Sequence, residues 1–425
     1  DRDVATYNLH VMVPGDNPNS IKQITFNRSN DLNPTLLRDG RIAYLRWDNA
    51  NGRNHLNLSH VRPDGTEFDL LYGAHSYTTT ERVLYESRQA PNGRLLSVKM
   101  PAQDTFLGGK LVYIDQDNFV ELNTIRAGGS SSSSSAESSA SKSSVSDGPG
   151  LSRGGRFTTP FPLWDGSNRA LVSWAWCEVV EADGDIVPCT NSNTDLTAAA
   201  PKYGLWMMDL SDFTTTPIDL GTRGVAITDP VALIDRFSTG NAPASLTDKT
   251  PGAGFDVQLQ GAAVGLLKIR SVYDTDNAAF IENTGTNLTT IMTNTADQRL
   301  VRFVRITKPA PVTNNGTNSS GMREIFGYQE VEPDGSVIVQ VPAEQPFGIE
   351  LVDQYGRRLR SDTSWLQVLP GETVQCNGCH SSRTTNTPLN AGSPDGTAFV
   401  GTTLHSDPNF ALLPQMGETM AETRA

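Results

Sequence analysis

The sequence has few aromatic residues and no long hydrophobic run. Aromatic side chains make up 7% of its 425 residues, and hydrophobic residues 37%. A membrane-spanning helix needs roughly 20 consecutive apolar residues, so we expect no membrane span in this chain. Lys and Arg number 34 against 47 Asp and Glu, which gives a formal net charge of -13. Because nucleic-acid binding requires clustered Lys and Arg, we expect no nucleic-acid partner.

One stretch is almost without apolar side chains. Residues 128–150 read GGSSSSSSAESSASKSSVSDGPG, and so few apolar groups do not offset the entropy lost on ordering a chain. We therefore expect a flexible, disordered insert at 128–150.

Three segments around this insert repeat one pattern. Each has a proline, an Asp-Gly or Asn-Gly turn or its close variant, and an arginine that enters an alternating apolar strand. The turns lie at Gly40, Gly93 and Gly166, about 50 residues apart once the Ser-rich insert is left out. Asp-Gly and Asn-Gly supply the positive φ angles of tight hairpins. The repeat predicts antiparallel hairpins, and a weaker fourth copy is expected at residues 226–235.

These repeats resemble those of TolB-like β-propellers over roughly residues 15–310. The resemblance implies an all-β fold with a β-propeller-like domain at 1–317; a β-sandwich array is the structural alternative. Farther along, Val337, Val339 and Val341 alternate with polar residues, and turns are expected at 334–335 and 355–356. This pattern predicts a small β domain at 318–368 with three or four strands. A loop-rich segment at 369–425 completes the expected order.

The segment Cys376-Asn377-Gly378-Cys379-His380 fits C-x-x-C-H, the pattern of covalent c-type haem attachment. Two thiols at this spacing reach the two vinyl groups of one haem, and the following imidazole reaches the iron. We therefore predict one covalent haem c, with His380 as the proximal iron ligand, and a c-type cytochrome segment at 369–425. A redox dithiol, a zinc site and a chance match are the alternatives, although zinc would need two further ligands.

The second axial ligand of the iron is open between several residues. His405 and Met416 both follow the motif closely enough to fold back over a haem, and Met420 is a weaker candidate. A histidine would give a low-potential centre and a methionine a higher one. An open sixth position would favour ligand chemistry over electron transfer.

The other two cysteines, Cys177 and Cys189, stand at the ends of an expected hairpin that turns at 183–185. Facing cysteines on paired strands can meet the separation that a disulfide requires. An exported c-type cytochrome also folds where disulfides form. We predict a Cys177–Cys189 disulfide and a periplasmic or extracellular, cell-surface location.

The repeats, the segment VPAEQPFGIELVDQYGRRLRSDTSWLQVLPGE and the C-x-x-C-H motif together resemble hydrazine synthase alpha subunits and related bacterial propeller-cytochromes. Only one C-x-x-C-H is present, so the resemblance carries over haem attachment alone. The main expectation is an exported monohaem cytochrome that transfers electrons to or from a redox partner protein, with the propeller as a docking domain. The alternatives are a haem oxidoreductase of small nitrogen or oxygen species, and a structural module that assembles with other subunits.

Overall fold

A computed structural model of the chain describes residues 7–13, 15, 20–27, 29–50, 53–73, 77, 82–103, 106–126, 129–130, 135–193, 195–233, 245–252, 254–273, 299–310, 323–361, 364–378 and 419–425. These residues form a nearly all-β structure of many antiparallel sheets, as the sequence predicts. Among them, no helix has the length and apolar character needed to cross a membrane.

Three four-stranded sheets follow one another along the N-terminal part. A short pair, β1 (His10–Val11) and β2 (Lys22–Gln23), precedes the first sheet of β3 (Asn30–Leu36), β4 (Ile42–Ala50), β5 (Arg53–Val61) and β6 (Asp69–Tyr72). The second sheet contains β7 (Arg82–Gln89), β8 (Leu95–Pro101) and β9 (Lys110–Ile114). The hairpin of β10 (Phe119–Glu121) and β11 (Thr124–Ile125) follows, and β12 (Glu137–Ser139) then returns to pair with β9.

The third sheet carries an insertion. Its first two strands are β13 (Arg156–Pro162) and β14 (Arg169–Ala175), and a separate three-stranded sheet of β15 (Glu178–Val180), β16 (Ile186–Pro188) and β17 (Thr197–Ala198) follows. The chain then re-enters the third sheet as β18 (Gly204–Asp209) and β19 (Thr215–Asp219). The first strands of the three sheets lie together, since β3 and β13 both contact β7.

The predicted hairpin turns are confirmed. Gly40, Gly93 and Gly166 join the first two strands of the three sheets with φ angles of +84°, +86° and +79°. Side chains other than glycine rarely adopt this conformation, so the three glycines mark equivalent places in the repeat. The prediction of a fourth copy is wrong, because residues 226–233, which are the described part of that segment, contain no strand.

The predicted disulfide is also confirmed. Cys177 precedes β15 and Cys189 follows β16, and their sulfurs are bonded with a Cα–Cα distance of 5.4 Å. The amide of Cys189 donates to the carbonyl oxygen of Cys177 at 3.0 Å. The hairpin pairing therefore places the two cysteines opposite each other.

A second apolar core lies in the C-terminal part, and it corrects the predicted domain boundary. Helix α1 (Val257–Gly261) precedes this part, and α2 (Met420–Arg424) ends it. Between them lie two sheets. Their strands are, in chain order, β20 (Val264–Ser271), β21 (Phe303–Pro309), β22 (Arg323–Glu330), β23 (Val337–Pro342), β24 (Gly348–Val352), β25 (Arg358–Ser361) and β26 (Thr373–Gly378). A boundary at 317/318 would separate β21 from β22, which pair over their whole length. Buried Leu267 and Ile269 also belong to this core. Local alternation in the sequence could not reveal these long-range pairings.

The expectation of disorder at 128–150 is wrong for the described residues 135–150. Strand β12 extends the second sheet, with Ser138 paired to Tyr113. Ala136 and Ala140 are buried beside it, and the Ser141 hydroxyl accepts a hydrogen bond from the Leu111 amide. Counting apolar side chains overlooked the backbone and hydroxyl hydrogen bonds that the edge of a preformed sheet supplies.

Glu137 is the charged residue that attaches this segment. Its carboxylate accepts hydrogen bonds from the hydroxyls of Tyr72, at 3.0 Å, and Tyr77. The Lys99 ammonium lies 2.7 Å away as an ion-pair partner. Burial raises the pKa of Glu137, whereas the Tyr72 hydrogen bond favours the carboxylate. Tyr72 of the first sheet, Lys99 of the second and Tyr77 from the connection between them thus hold one residue of the Ser-rich segment.

Replacement of Glu137 by alanine should loosen the Ser-rich segment. The variant deprives two tyrosine hydroxyls and a largely buried ammonium of their shared partner, which should cost about 2–4 kcal/mol in the free energy of unfolding. Denaturant unfolding measures this loss, and limited proteolysis should show new cleavage within residues 128–150. Glu181→Ala removes an exposed carboxylate and serves as the control. Equal stability and equal protease resistance of the two variants would contradict the assigned role.

Candidate functional site

Strand β26 carries the first cysteine of the C-x-x-C-H motif to the edge of a three-stranded sheet. The sheet order is β23-β20-β26, and β20 is the central strand. Strands β20 and β26 run parallel, with Ile269 opposite Cys376. Residues more than 100 positions apart in the sequence therefore meet at the site.

The alternation of β26 decides which way Cys376 points. Val374 and Cys376 pack against the second core, whereas Gln375 between them is exposed. Cys376 is only half-buried, so its thiol lies at the rim of the core and not inside it. A thiol at an apolar rim fits the attachment of a large apolar group, because that group can cover the core edge and still reach the sulfur.

The remaining predicted ligands, Cys379, His380, His405 and Met416, lie outside the described residues. Their roles stay predictions. Met420 is described, and it is fully buried at the start of α2. Within the described part of the chain, no three His, Cys, Asp or Glu side chains come together as a metal site.

A tight turn before β26 sets where the strand begins. Gly371 has a φ of +81°, and a Cβ there would lie 2.6 Å from the Asp256 carbonyl oxygen. The Gly371 amide donates to the Val264 carbonyl oxygen at 2.8 Å. Glu372 closes the turn, since its carboxylate accepts from the Leu369 amide at 2.8 Å. The turn therefore requires glycine and binds β26 to the start of β20.

Lys249 connects this turn to the first sheet. Its ammonium forms an ion pair with the buried Glu372 carboxylate and lies 3.6 Å from Glu67. Its backbone amide donates to an Asp64 carboxylate oxygen at 2.7 Å. Asp64 and Glu67 belong to the β5–β6 turn. One lysine therefore links that turn to the Gly371–Glu372 turn, which directly precedes β26.

Helix α2 returns the chain to the same core. The Met420 amide donates to an Asp334 carboxylate oxygen at 2.8 Å, and the Ala421 amide donates to the Ser336 hydroxyl at 3.0 Å. Burial raises the pKa of Asp334, while the Met420 amide acts in the opposite direction. The stretch between Gly378 and Thr419 consequently starts and ends on the second core.

Comparison with known proteins shows which family this region resembles. Residues 277–381 match the hydrazine synthase alpha subunit middle domain. The matched range contains β21 to β26 and reaches through the C-x-x-C-H motif. The chain is thus similar to hydrazine synthase alpha subunits, in agreement with the resemblance seen in the sequence.

Two individual proteins are also similar to parts of this chain. Hydrazine synthase subunit alpha of Kuenenia stuttgartiensis is 32% identical over 68 residues, which are 16% of this chain and 8% of that protein. The solved Kuenenia stuttgartiensis hydrazine synthase aligns with a TM-score of 0.47 and 17% identity. That alignment covers 88% of this chain and 47% of the solved one. The chain therefore spans less than half the length of these relatives.

Sequence reasoning missed Lys249, Glu137 and their partners. Lys249 lies in a segment without regular alternation, and its contacts to Asp64 and Glu372 bridge more than 100 residues. Glu137 is a lone acidic residue among serines. A single charged residue among small residues is the signal that the sequence offers for such a contact.

Replacement of Lys249 by methionine should loosen β26. The variant keeps the apolar stem but leaves the buried Glu372 carboxylate without its ammonium, which should lower the free energy of unfolding by about 1–3 kcal/mol. Hydrogen exchange should accelerate at the amides of β26. Lys308→Met, which removes an exposed partner of Glu324, should change stability by less than about 0.5 kcal/mol. Unchanged exchange in β26 of the Lys249 variant would refute the link.

Proposed function

We propose that this chain is the haem-binding part of an exported c-type oxidoreductase that acts on small nitrogen compounds. The observation that carries the proposal is the C-x-x-C-H motif at the end of β26, inside the match to the hydrazine synthase alpha middle domain. The half-buried Cys376 at an apolar rim supports the same conclusion from geometry.

Each motif residue has a defined role in this proposal. Cys376 and Cys379 would hold the haem covalently through their thiols, and His380 would bind its iron. His405 or Met416 would supply a second iron ligand. Bound haem would supply one-electron redox chemistry and an iron centre for small ligands. The chain itself positions the first cysteine through the pairing of β26 with β20 and through the Glu372 turn.

The proposed cellular location is supported by the disulfide. The Cys177–Cys189 disulfide is typical of proteins that fold in an oxidising compartment, which supports a periplasmic or cell-surface location. The Kuenenia relative is named as a subunit, which supports assembly of this chain with other subunits. A redox partner protein is part of the proposal, because single electrons must enter or leave the haem.

Electron transfer without substrate chemistry is the second candidate function. It is favoured by the single C-x-x-C-H motif in the sequence, since one haem suffices to pass one electron. The family match favours the enzyme, because the matched name is that of a synthase. A purely structural module is the third candidate, in which loss of the haem would leave assembly intact.

Covalent haem attachment tests the shared basis of the first two candidates. The wild-type chain, produced in a bacterial host with c-type maturation, should retain haem on a denaturing gel and gain the mass of one haem. Cys376→Ala/Cys379→Ala should lose both signals. Cys177→Ser/Cys189→Ser is the matched control, because it also removes two cysteines yet leaves the motif intact. A wild-type protein with the bare polypeptide mass would refute the proposal.

Ligand binding separates the enzyme from the electron carrier. The reduced wild-type protein should bind carbon monoxide or nitric oxide and shift its Soret band, because chemistry on small molecules needs an accessible iron position. If the band does not move, the electron carrier replaces the enzyme as the function. In that case His405→Ala and Met416→Ala should differ, and the variant that gains ligand binding identifies the distal residue.

A further inference from the structure

A cleft with aromatic walls opens beside the disulfide of the third sheet. It has a volume of about 470 Å³, within the usual range for small-molecule sites. We call it the aromatic cleft; its aromatic and cationic lining residues are Phe157, Trp174, Trp176, Phe213, Lys142 and Arg153. Cys177 and Cys189 also line it, so the disulfide forms part of its wall.

The aromatic wall consists of rings that pack against one another, and one of them is partly exposed. Trp174 stacks on Phe157 at 5.9 Å between ring centroids, and Trp206 meets Trp174 edge-on at 4.8 Å. The Trp174 indole donates to the Gly154 carbonyl oxygen at 3.0 Å. Trp176 is different, since it packs edge-on against both other indoles and is still 41% exposed. The cleft thus presents one partly uncovered indole on a fixed base.

The cleft is cationic although the chain carries a net charge of -13. Lys142 and Arg153 line it, and no acidic side chain does. The segments that carry the two cations lie side by side, because the Gly154 amide donates to the Ser144 carbonyl oxygen at 2.8 Å. A site that concentrates positive charge on an acidic protein favours an anionic ligand.

Both cations are exposed. The Arg153 guanidinium donates to the Asn191 side chain at 2.8 Å, which uses one of its five N–H groups. Asp212 lies close enough to Lys142 for their charges to interact. Asp212 is exposed, and its carboxylate already accepts two hydrogen bonds from Thr214 at 2.9 and 2.7 Å.

A neighbouring cavity of about 570 Å³ shares Trp176 and Cys177 but has different chemistry. Its charged residues have partners of their own. Arg156 donates to the carbonyl oxygens of Gly108, Gly148 and Gly150, and Glu178 is paired with Arg223. Of these two cavities, the aromatic cleft is therefore the one that combines the partly exposed Trp176 ring with exposed cations.

We propose that the aromatic cleft binds a small planar carboxylate, with its ring against Trp176 and its carboxylate on Arg153 and Lys142. Guanidinium and ammonium groups bind carboxylates through charge-assisted hydrogen bonds, and flat rings pack on indole. This site is distant in sequence from the C-x-x-C-H motif and does not depend on the haem.

Calorimetric titration of the full chain with 2-naphthoate tests the proposal. We expect saturable binding at one site, with 2-naphthamide at least tenfold weaker because it lacks the charge. Cyclohexanecarboxylate, which has the charge without a flat ring, should also bind more weakly. Equal affinity for naphthoate and naphthamide, or no saturable binding of naphthoate at millimolar concentration, would overturn the proposal.

Variants locate the binding. Lys142→Gln/Arg153→Gln should weaken naphthoate binding at least tenfold, and Trp176→Leu should weaken it several-fold. Arg169→Gln removes an exposed cation from the other end of β14 and should leave affinity within about twofold of wild type. Thermal melting of each variant verifies that the fold is kept. If the Arg169 variant loses as much affinity as the double variant, or if the double variant loses none, the ligand binds elsewhere and the assignment is wrong.

Discussion

The pairing of β26 with β20 is the constraint on which the candidate haem site depends. β20 is the central strand, and it holds β23 on one side and β26 on the other. Without the parallel pairing, Cys376 would have no fixed place relative to the second core. The Gly371–Glu372 turn and the Lys249 ion pair act on the same strand from its start. A short strand at a sheet edge thereby gains a definite position for one reactive side chain.

Polar contacts order segments that apolar burial alone would leave loose. Glu137 joins β12 to a tyrosine of the first sheet, to a lysine of the second and to Tyr77, which lies between the two sheets in sequence. Lys249 does the same for the segment between the third sheet and the second core. Both residues are charged, only partly exposed and matched by partners far away in the sequence. Removing one partner of such a contact costs more than the contact itself contributes, because the other group is left desolvated.

Much of the local structure was predictable from the sequence, and the long-range pairing was not. Positive φ at Gly40, Gly93 and Gly166 follows from the turn chemistry of glycine, and the disulfide follows from the hairpin between its cysteines. The strands on both sides of Gly335 follow from alternation. The pairing of Ile269 with Cys376 has no local signal, since it joins residues from distant parts of the chain. The aromatic cleft is another such case. In the sequence, Trp174 and Trp176 only mark the end of a strand, and nothing there indicates that Lys142 and Arg153 lie beside them in the fold.

The attachment of α2 has a consequence for the turn between β22 and β23. One oxygen of the Asp334 carboxylate accepts hydrogen bonds from the Ser336 amide and hydroxyl within that turn. The other oxygen accepts from the Met420 amide at the start of the helix. A single carboxylate therefore joins a local turn to a helix from a distant part of the sequence, and loss of its charge would act on both at once.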